Sequence, residues 1–227
     1  MQFVEVIEGS GTQIAFIIID ARSGERTVIW DRDERLAYSP AEVPVSLAAR
    51  GRVLHMDAHD PPACARVAEA ARAAGTIVSA DIDNIYGGLP DLLPLIDILI
   101  SSAEFPYRLM GIRDERTSLL ELKARYGSAI VGMTRGVRGV IVYCDGTFLE
   151  SPALTVPGGC HDTTGAGDAF RAGFLYGLLR GEEIETTLKL ANATAALKCR
   201  SLGARTSLPA EEELKAYLRQ DPVPLPL

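Results

Sequence analysis

The segment from Pro157 to Gly181 constrains this chain more than any other. A turn-rich run ends at Pro157-Gly158-Gly159, and His161-Asp162-Thr163-Thr164-Gly165-Ala166-Gly167-Asp168-Ala169-Phe170 follows closely. Gly165 and Gly167 flank an alanine and permit a tight turn with no side chain in the way. Behind them Ala169, Phe170, Gly173, Phe174, Gly177 and Leu178 recur at helical spacing, up to a stop at Gly181. A glycine turn opening a buried helix aims free backbone N–H groups, and the positive end of the helix dipole, at one point. That is an anion site, and phosphate is the anion expected there. Asp168 falls in the first turn, which is the wrong charge for simple anion binding. For phosphoryl transfer it suits a base that takes the proton from an attacking hydroxyl. The competing reading is a plain helix N-terminus with a capping aspartate.

The rest of the chain alternates strands with helices. Gln13 to Ile19 and Arg26 to Asp31 read as strands joined at Arg22-Ser23-Gly24, with charged and proline-bearing linker sequence from Asp31 to Pro44. Arg52–Met56, Thr76–Ala80, Asp97–Ile100 and Ala129–Met133 read as further strands. Asp60-Pro61 offers an N-cap and a first-turn proline for an alanine-rich helix that stops at Gly75. A helix over about Arg116–Tyr126 is closed by Gly127. Val140–Cys144 and Thr147–Glu150 read as a hairpin turning at Asp145-Gly146, and helices are expected at 166–180, 184–199 and 210–219. This order predicts an α/β fold with a mostly parallel sheet flanked by helices.

Composition narrows the function classes. Hydrophobic residues make up 47% and charged residues 23%, as in an ordinary soluble domain, and 227 residues suffice for one large domain or one and a half. A net charge of −7 without a basic run excludes nucleic acid as the expected partner. The apolar runs are too short for a membrane span, and the N-terminus lacks the pattern of a signal peptide. Cys64, Cys144, Cys160 and Cys199 are scattered and form no CxxC pair, so free thiols and a cytoplasmic location are expected.

Asp162-Thr163-Thr164-Gly165-Ala166-Gly167-Asp168-Ala169-Phe170 resembles the C-terminal signature of the ribokinase (PfkB) family of sugar and nucleoside kinases. The resemblance implies a ribokinase-like fold. The backbone of Gly165, Ala166 and Gly167 would then form an anion hole over the transferring phosphate, with Asp168 as base. Thr134-Arg135-Gly136-Val137-Arg138-Gly139 resembles the family's Thr-x-Gly-x-x-Gly loop, which implies that Thr134, Gly136 and Gly139 lie along the ATP phosphates. Asn192, in an Ala-Asn-x-x-Ala-Ala pattern, reads either as part of an adenine pocket or as an ordinary polar residue of a helix. The expected cofactor is Mg²⁺ with ATP. A monovalent cation (K⁺) is a further expectation, held by Asp162, the Thr164 carbonyl and the stretch Lys198 to Ser207.

The resemblance runs along nearly the whole chain. Residues 1–40 correspond to a partial small β-sheet lid and linker, and residues 41–227 to the α/β nucleotide-binding and catalytic core. Nothing like the family's sugar-gripping Gly-Gly-Asn stretch precedes Gln13, so the chain resembles a member lacking its N-terminal part. The alternative to a kinase is thus an incomplete nucleotide-binding or interaction protein of the same fold. The family's Asn-x-x-Glu motif is replaced by Ser101-Ser102-Ala103-Glu104-Phe105. Glu104 reads equally as a metal-organising acid or as a solvated acid at a helix start. Asp57, His59, Asp81 and Asp83 fall near strand ends, where open α/β sheets place ligands, or else serve as turn and helix caps. Trp30, Phe16 and Ile18 are candidates to cover a substrate from the lid, against the reading of an apolar interface. The lid strand and the serine variant lean toward a hexose or ketose acceptor, and a homodimer through the lid is expected.

Overall fold

The structure, a computed structural model, describes residues 4–20, 22 and 26–225. Two antiparallel strands, β1 (Ile14–Ile19) and β2 (Arg26–Asp31), form a small sheet in which Ala15 faces Trp30 and Phe16 faces Ile29. Of the turn expected between them, Ser23 and Gly24 lie outside the described residues. The main sheet has six strands in sequential order: β3 (Val53–Met56), β4 (Ile77–Ala80), β5 (Ile98–Ser102), β6 (Ile130–Thr134), β7 (Val140–Cys144) and β8 (Thr147–Ser151). The pairings from β3 to β6 are parallel, and β7 and β8 extend the sheet as antiparallel strands. Asp145 and Gly146 both take positive φ, as a tight hairpin between right-twisted strands requires.

The helices are α1 (Val45–Ala48), α2 (Pro61–Ala73), α3 (Leu89–Leu92), α4 (Glu104–Met110), α5 (Glu115–Tyr126), α6 (Ala166–Arg180), α7 (Ile184–Lys198) and α8 (Glu211–Arg219). Successive strand residues point to opposite faces, so the uniformly apolar central strands feed two cores. Leu99, Val131, Met133 and Ile141 pack under α2, α3 and α5 with Leu89, Leu92, Leu119 and Leu122. Ile98, Ile100, Ile130, Val140 and Val142 pack on the other face against Phe170, Phe174, Leu188 and Ala191 of α6 and α7. The expected strands and long helices are all present, with ends within about two residues. The short helices α1 and α3 were not anticipated, because each is too brief for periodicity to show, and α4 was foreseen only as one reading of Glu104, at a helix start.

One local expectation is corrected. Asp60 is the residue before α2, but its side chain does not cap the helix. Its carboxylate is taken instead by Arg32, with Nη1 at 2.9 Å and Nη2 at 2.7 Å, and it also accepts from the Tyr38 N–H. A bidentate guanidinium outcompetes a neutral N–H for a carboxylate. The result is a latch from the small sheet to the main one.

Helices α6 and α7 touch along glycines. A Cβ at Gly173 would lie 2.5 Å from the Thr194 hydroxyl and 2.9 Å from the Ala191 Cα, and one at Gly177 would lie 2.8 Å from the Thr187 hydroxyl. Gly173→Ala is therefore expected to destabilise the chain by roughly 1–3 kcal/mol through overpacking. Urea unfolding measures this, and an unchanged midpoint would show that the helices can separate freely.

Candidate active site

Parallel strands place their carboxyl ends along one edge, and the N-terminus of α6 is brought to that edge. Gly165 precedes α6 in the left-handed region, at φ 76°, and a Cβ there would press on the Ala204 carbonyl at 2.7 Å. Only glycine meets both conditions. The Ala166 N–H turns back to the Thr163 carbonyl at 3.0 Å, and the helical ladder begins with Ala169 N–H to the Gly165 carbonyl at 2.9 Å. The N–H groups of Gly165, Gly167 and Asp168 find no acceptor among the described residues. The free donors are therefore not the expected trio: Asp168 replaces Ala166. The Asp168 side chain is exposed beside them.

This turn is fastened from behind. Asp162 is 1% exposed. Its Oδ1 accepts from the Thr164 N–H and its Oδ2 from the Gly203 N–H, both at 2.8 Å. Burial alone would raise its carboxyl, but these hydrogen bonds and the charge of Lys198 hold it below the ordinary value. The Cys199 carbonyl at the end of α7 accepts from the His161 N–H at 2.9 Å.

The loop after β6 is a compact turn in which Arg135 N–H donates to the Gly139 carbonyl at 2.7 Å and Gly139 N–H to Gly136 at 2.9 Å. Thr134 donates weakly to the Ser101 carbonyl, 3.4 Å away. Gly139 has φ 81°, and a Cβ there would overlap the main chain from Ser151 to Ala153. Asn192 holds that same stretch. It is buried, and its amide donates to the Ser151 carbonyl and hydroxyl and to the Pro152 carbonyl, at 2.9–3.1 Å. Asn192 thus joins α7 to the strand end against which Gly139 rests. Glu104 is exposed in the first turn of α4 and lines a cleft with Tyr107, Arg113, Glu115 and Arg138. Glu115 bridges Arg135 and Arg138, so this side of the loop is fixed by ion pairs.

Residues that sequence reasoning left aside complete the rim. Arg171, one helical turn after Asp168, is 6% exposed and reaches both the Ile100 carbonyl at 3.0 Å and Asp81 at 2.5 Å. Burial pushes the Asp81 carboxyl up to about 7; Arg171 opposes this, and Asp83, Asp168 and Asp57 add to it. Burial likewise lowers His55, helped by Arg171, while Asp168 and Asp57 oppose. These couplings place Asp57, Asp83 and Asp168 about Asp81, and Asp57 and Asp168 near His55. The sequence signal was an arginine on the buried stripe of an otherwise apolar helix. On the lid side, the Trp30 ring stands edge-on to His59 at 5.5 Å, and His59 lies 5.2 Å from Tyr86. Phe16 and Ile18 do not share this wall. In the strand register they lie on the opposite face from Trp30, and they are 75% and 56% exposed.

The raised Asp81 has a sign that can be tested. The folded chain binds this proton more tightly than the unfolded chain, so Asp81 lowers stability progressively as pH rises from about 4 to about 7. Asp81→Asn should flatten that part of the stability–pH curve. An identical slope in the variant would show that Arg171 keeps Asp81 ionised throughout.

The model of the pfkB family carbohydrate kinases matches residues 1–211, and the chain belongs to that family. It is similar to a nucleoside kinase from Methanothermobacter thermautotrophicus, 28% identical over 96% of this chain and 75% of that relative. An ATP-dependent ribose-1-phosphate kinase from Halopiger xanaduensis is also 28% identical, over 97% of this chain and 72% of its own length. Among solved structures, a fructokinase with bound ATP from Xylella fastidiosa has a TM-score of 0.79 over 95% of this chain and 76% of that one. At 21% identity it shows the fold, which is ribokinase-like. No helix among the described residues is long and apolar enough to cross a membrane.

Proposed function

We propose that the chain transfers the γ-phosphate of ATP to a carbohydrate hydroxyl at the edge formed by α6, with Asp168 as base. The observation that carries this reading is the trio of free N–H groups at Gly165, Gly167 and Asp168, with the Asp168 carboxylate beside them. Those donors would stabilise charge gathering on the phosphoryl oxygens, and the Asp168 carboxylate would take the acceptor's proton as its oxygen attacks in line. The Thr134–Gly139 loop would lie along the nucleotide, held in shape by Asn192 through Ser151 and Pro152.

Mg²⁺ fits as a companion of the nucleotide. No group of three or more His, Cys, Asp or Glu among the described residues could hold an ion unaided. A magnesium ion shared with phosphates needs only one or two protein carboxylates and keeps several waters. Glu104, exposed at the start of α4, suits that outer role. Bound there, the ion would neutralise phosphate charge, and Glu104 would orient its waters.

The acceptor is proposed to enter beneath the Trp30–His59–Tyr86 wall, beside Asp57 and Asp168. Two relatives that align over nearly the whole chain are a nucleoside kinase and an ATP-dependent ribose-1-phosphate kinase. We weigh these above the hexose or ketose leaning of the sequence and favour a ribose-containing acceptor. ADP formation over a panel of nucleosides, ribose phosphates and hexoses identifies it. Asp168→Asn should lower turnover by roughly 10²–10⁴-fold, the usual contribution of a positioned base, with ATP affinity changed only a few-fold. Intact turnover in that variant would remove Asp168 from this role.

The outward lid face carries Ile14, Phe16, Ile18 and Ile29, an apolar surface on a two-stranded sheet with open edges. We assign it to a second copy of the chain. Light scattering should give a dimer for the wild type and a monomer for Phe16→Asp. A monomeric wild type would contradict this assignment.

A further inference from the structure

Trp30 is the only tryptophan of the chain, and it is 45% exposed near the end of β2. Its ring meets His59 at an interplanar angle of 75°, and His59 in turn tilts 33° to Tyr86. An edge-to-face contact covers at most one face of an indole. Among the described residues no other ring stacks on Trp30, so aromatic surface is left open on the wall. The wall is also held in place. Arg32, two residues after Trp30, grips Asp60, the residue after His59, through both of its terminal nitrogens. A ring surface fixed before a ligand arrives costs little to order on binding.

Charge around the wall decides what can lie on it. The exposed Asp57 carboxylate stands 3.4 Å from the His59 ring, and Asp83 is exposed on the loop that carries Tyr86. The arginines in reach are engaged. Arg32 donates to Asp60 and the Leu36 carbonyl, Arg108 to the Asp83 carbonyl and the Asn84 side chain, and Arg171 to the Ile100 carbonyl while pairing with Asp81. A phosphorylated acceptor asks for a cation, best an arginine with its fork free, and here it would meet carboxylates. A neutral heteroaromatic base suits the open indole, because every base has a π-face to stack. Hydroxyls on an attached sugar would donate to the carboxylates that repel a phosphate.

We propose that the acceptor is an unphosphorylated nucleoside, with its base stacked on the Trp30 indole and a sugar hydroxyl turned toward Asp168. Trp30 then selects a nucleoside over a free sugar or a sugar phosphate. The consequence for turnover rests on the phosphoryl-transfer reading above, whereas base binding does not.

Emission from the single tryptophan reads the site without turnover. Adenosine, guanosine or cytidine should change Trp30 emission saturably, and ribose, ribose 1-phosphate and fructose should not. The change should persist when Mg²⁺ and a non-hydrolysable ATP analogue fill the nucleotide site. With Mg·ATP, ADP formation should favour a nucleoside. Trp30→Ala should raise the nucleoside KM by about 5–100-fold, the usual cost of losing one stacked base, with kcat changed only a few-fold. Trp30→Phe, which keeps a smaller ring, should lose less. No emission change with any nucleoside, preference for ribose 1-phosphate or a hexose, or loss of kcat at unchanged nucleoside KM in Trp30→Ala would overturn the proposal. So would a nucleoside signal abolished by the ATP analogue, which would put the stacked base in the nucleotide site. Should Trp30→Ala not fold, the wild-type titrations and Trp30→Phe still decide. A nucleoside signal without turnover in any mixture supports base binding and retires the kinase reading. Turnover of an acceptor that leaves the emission unchanged does the reverse.

Discussion

Close approach of α6 to α7 is the contact on which the site depends. Gly173 and Gly177 sit four residues apart on one stripe of α6 and admit Ala191, Thr194 and Thr187 of α7 against the helix backbone. Because the two helices cannot be levered apart without losing that packing, α7 becomes a rigid arm. Midway it presents Asn192 to Ser151 and Pro152, behind the Gly136–Gly139 turn. At its end it presents Lys198 to Asp162, behind the turn that opens α6. Two loops far apart in sequence are thereby referenced to one helix.

Electrostatics at the sheet edge follow from how few positive side chains reach it. Asp83, Asp168 and Asp57 each add to the upward push that burial gives the Asp81 carboxyl. Arg171 lies among them, buried, with its guanidinium shared between Asp81 and the Ile100 carbonyl. Removing either partner would leave an uncompensated buried charge, the costly way to break such a pair. On the proposed reading phosphate charge would be met by backbone N–H groups rather than by lysine or arginine, and the Asp168 carboxylate has no ion-pair partner among the described residues.

Much of this was legible in the sequence, and the limits are physical. The helix from Ala166 to Arg180 was readable to its ends because glycines mark both of them, at Gly165 and Gly181. The parallel sheet was readable because buried strands are apolar on both faces. Destinations of polar side chains were not readable. Asp60 has the spacing of a cap, yet it binds Arg32 just past the end of β2, and Asn192 faces inward onto a strand end. Arg171 drew no expectation and Lys198 was expected only as the start of a cation-binding stretch; packing shows both to be buried. The Ala166 N–H was expected in an anion hole from its place in the motif, whereas in the structure it is turned back to the Thr163 carbonyl. Periodicity reports which face a residue takes; it does not report which partner waits there.

The central claim is that the turn before α6 is where phosphate binds. A crystal structure of the chain with Mg²⁺ and a non-hydrolysable ATP analogue tests it most directly. The account predicts the terminal phosphate within hydrogen-bonding distance of the Gly167 and Asp168 N–H groups, with the rest of the nucleotide running past Gly136 and Gly139. A nucleotide whose terminal phosphate lies away from these N–H groups, with the α6 turn empty, would contradict it.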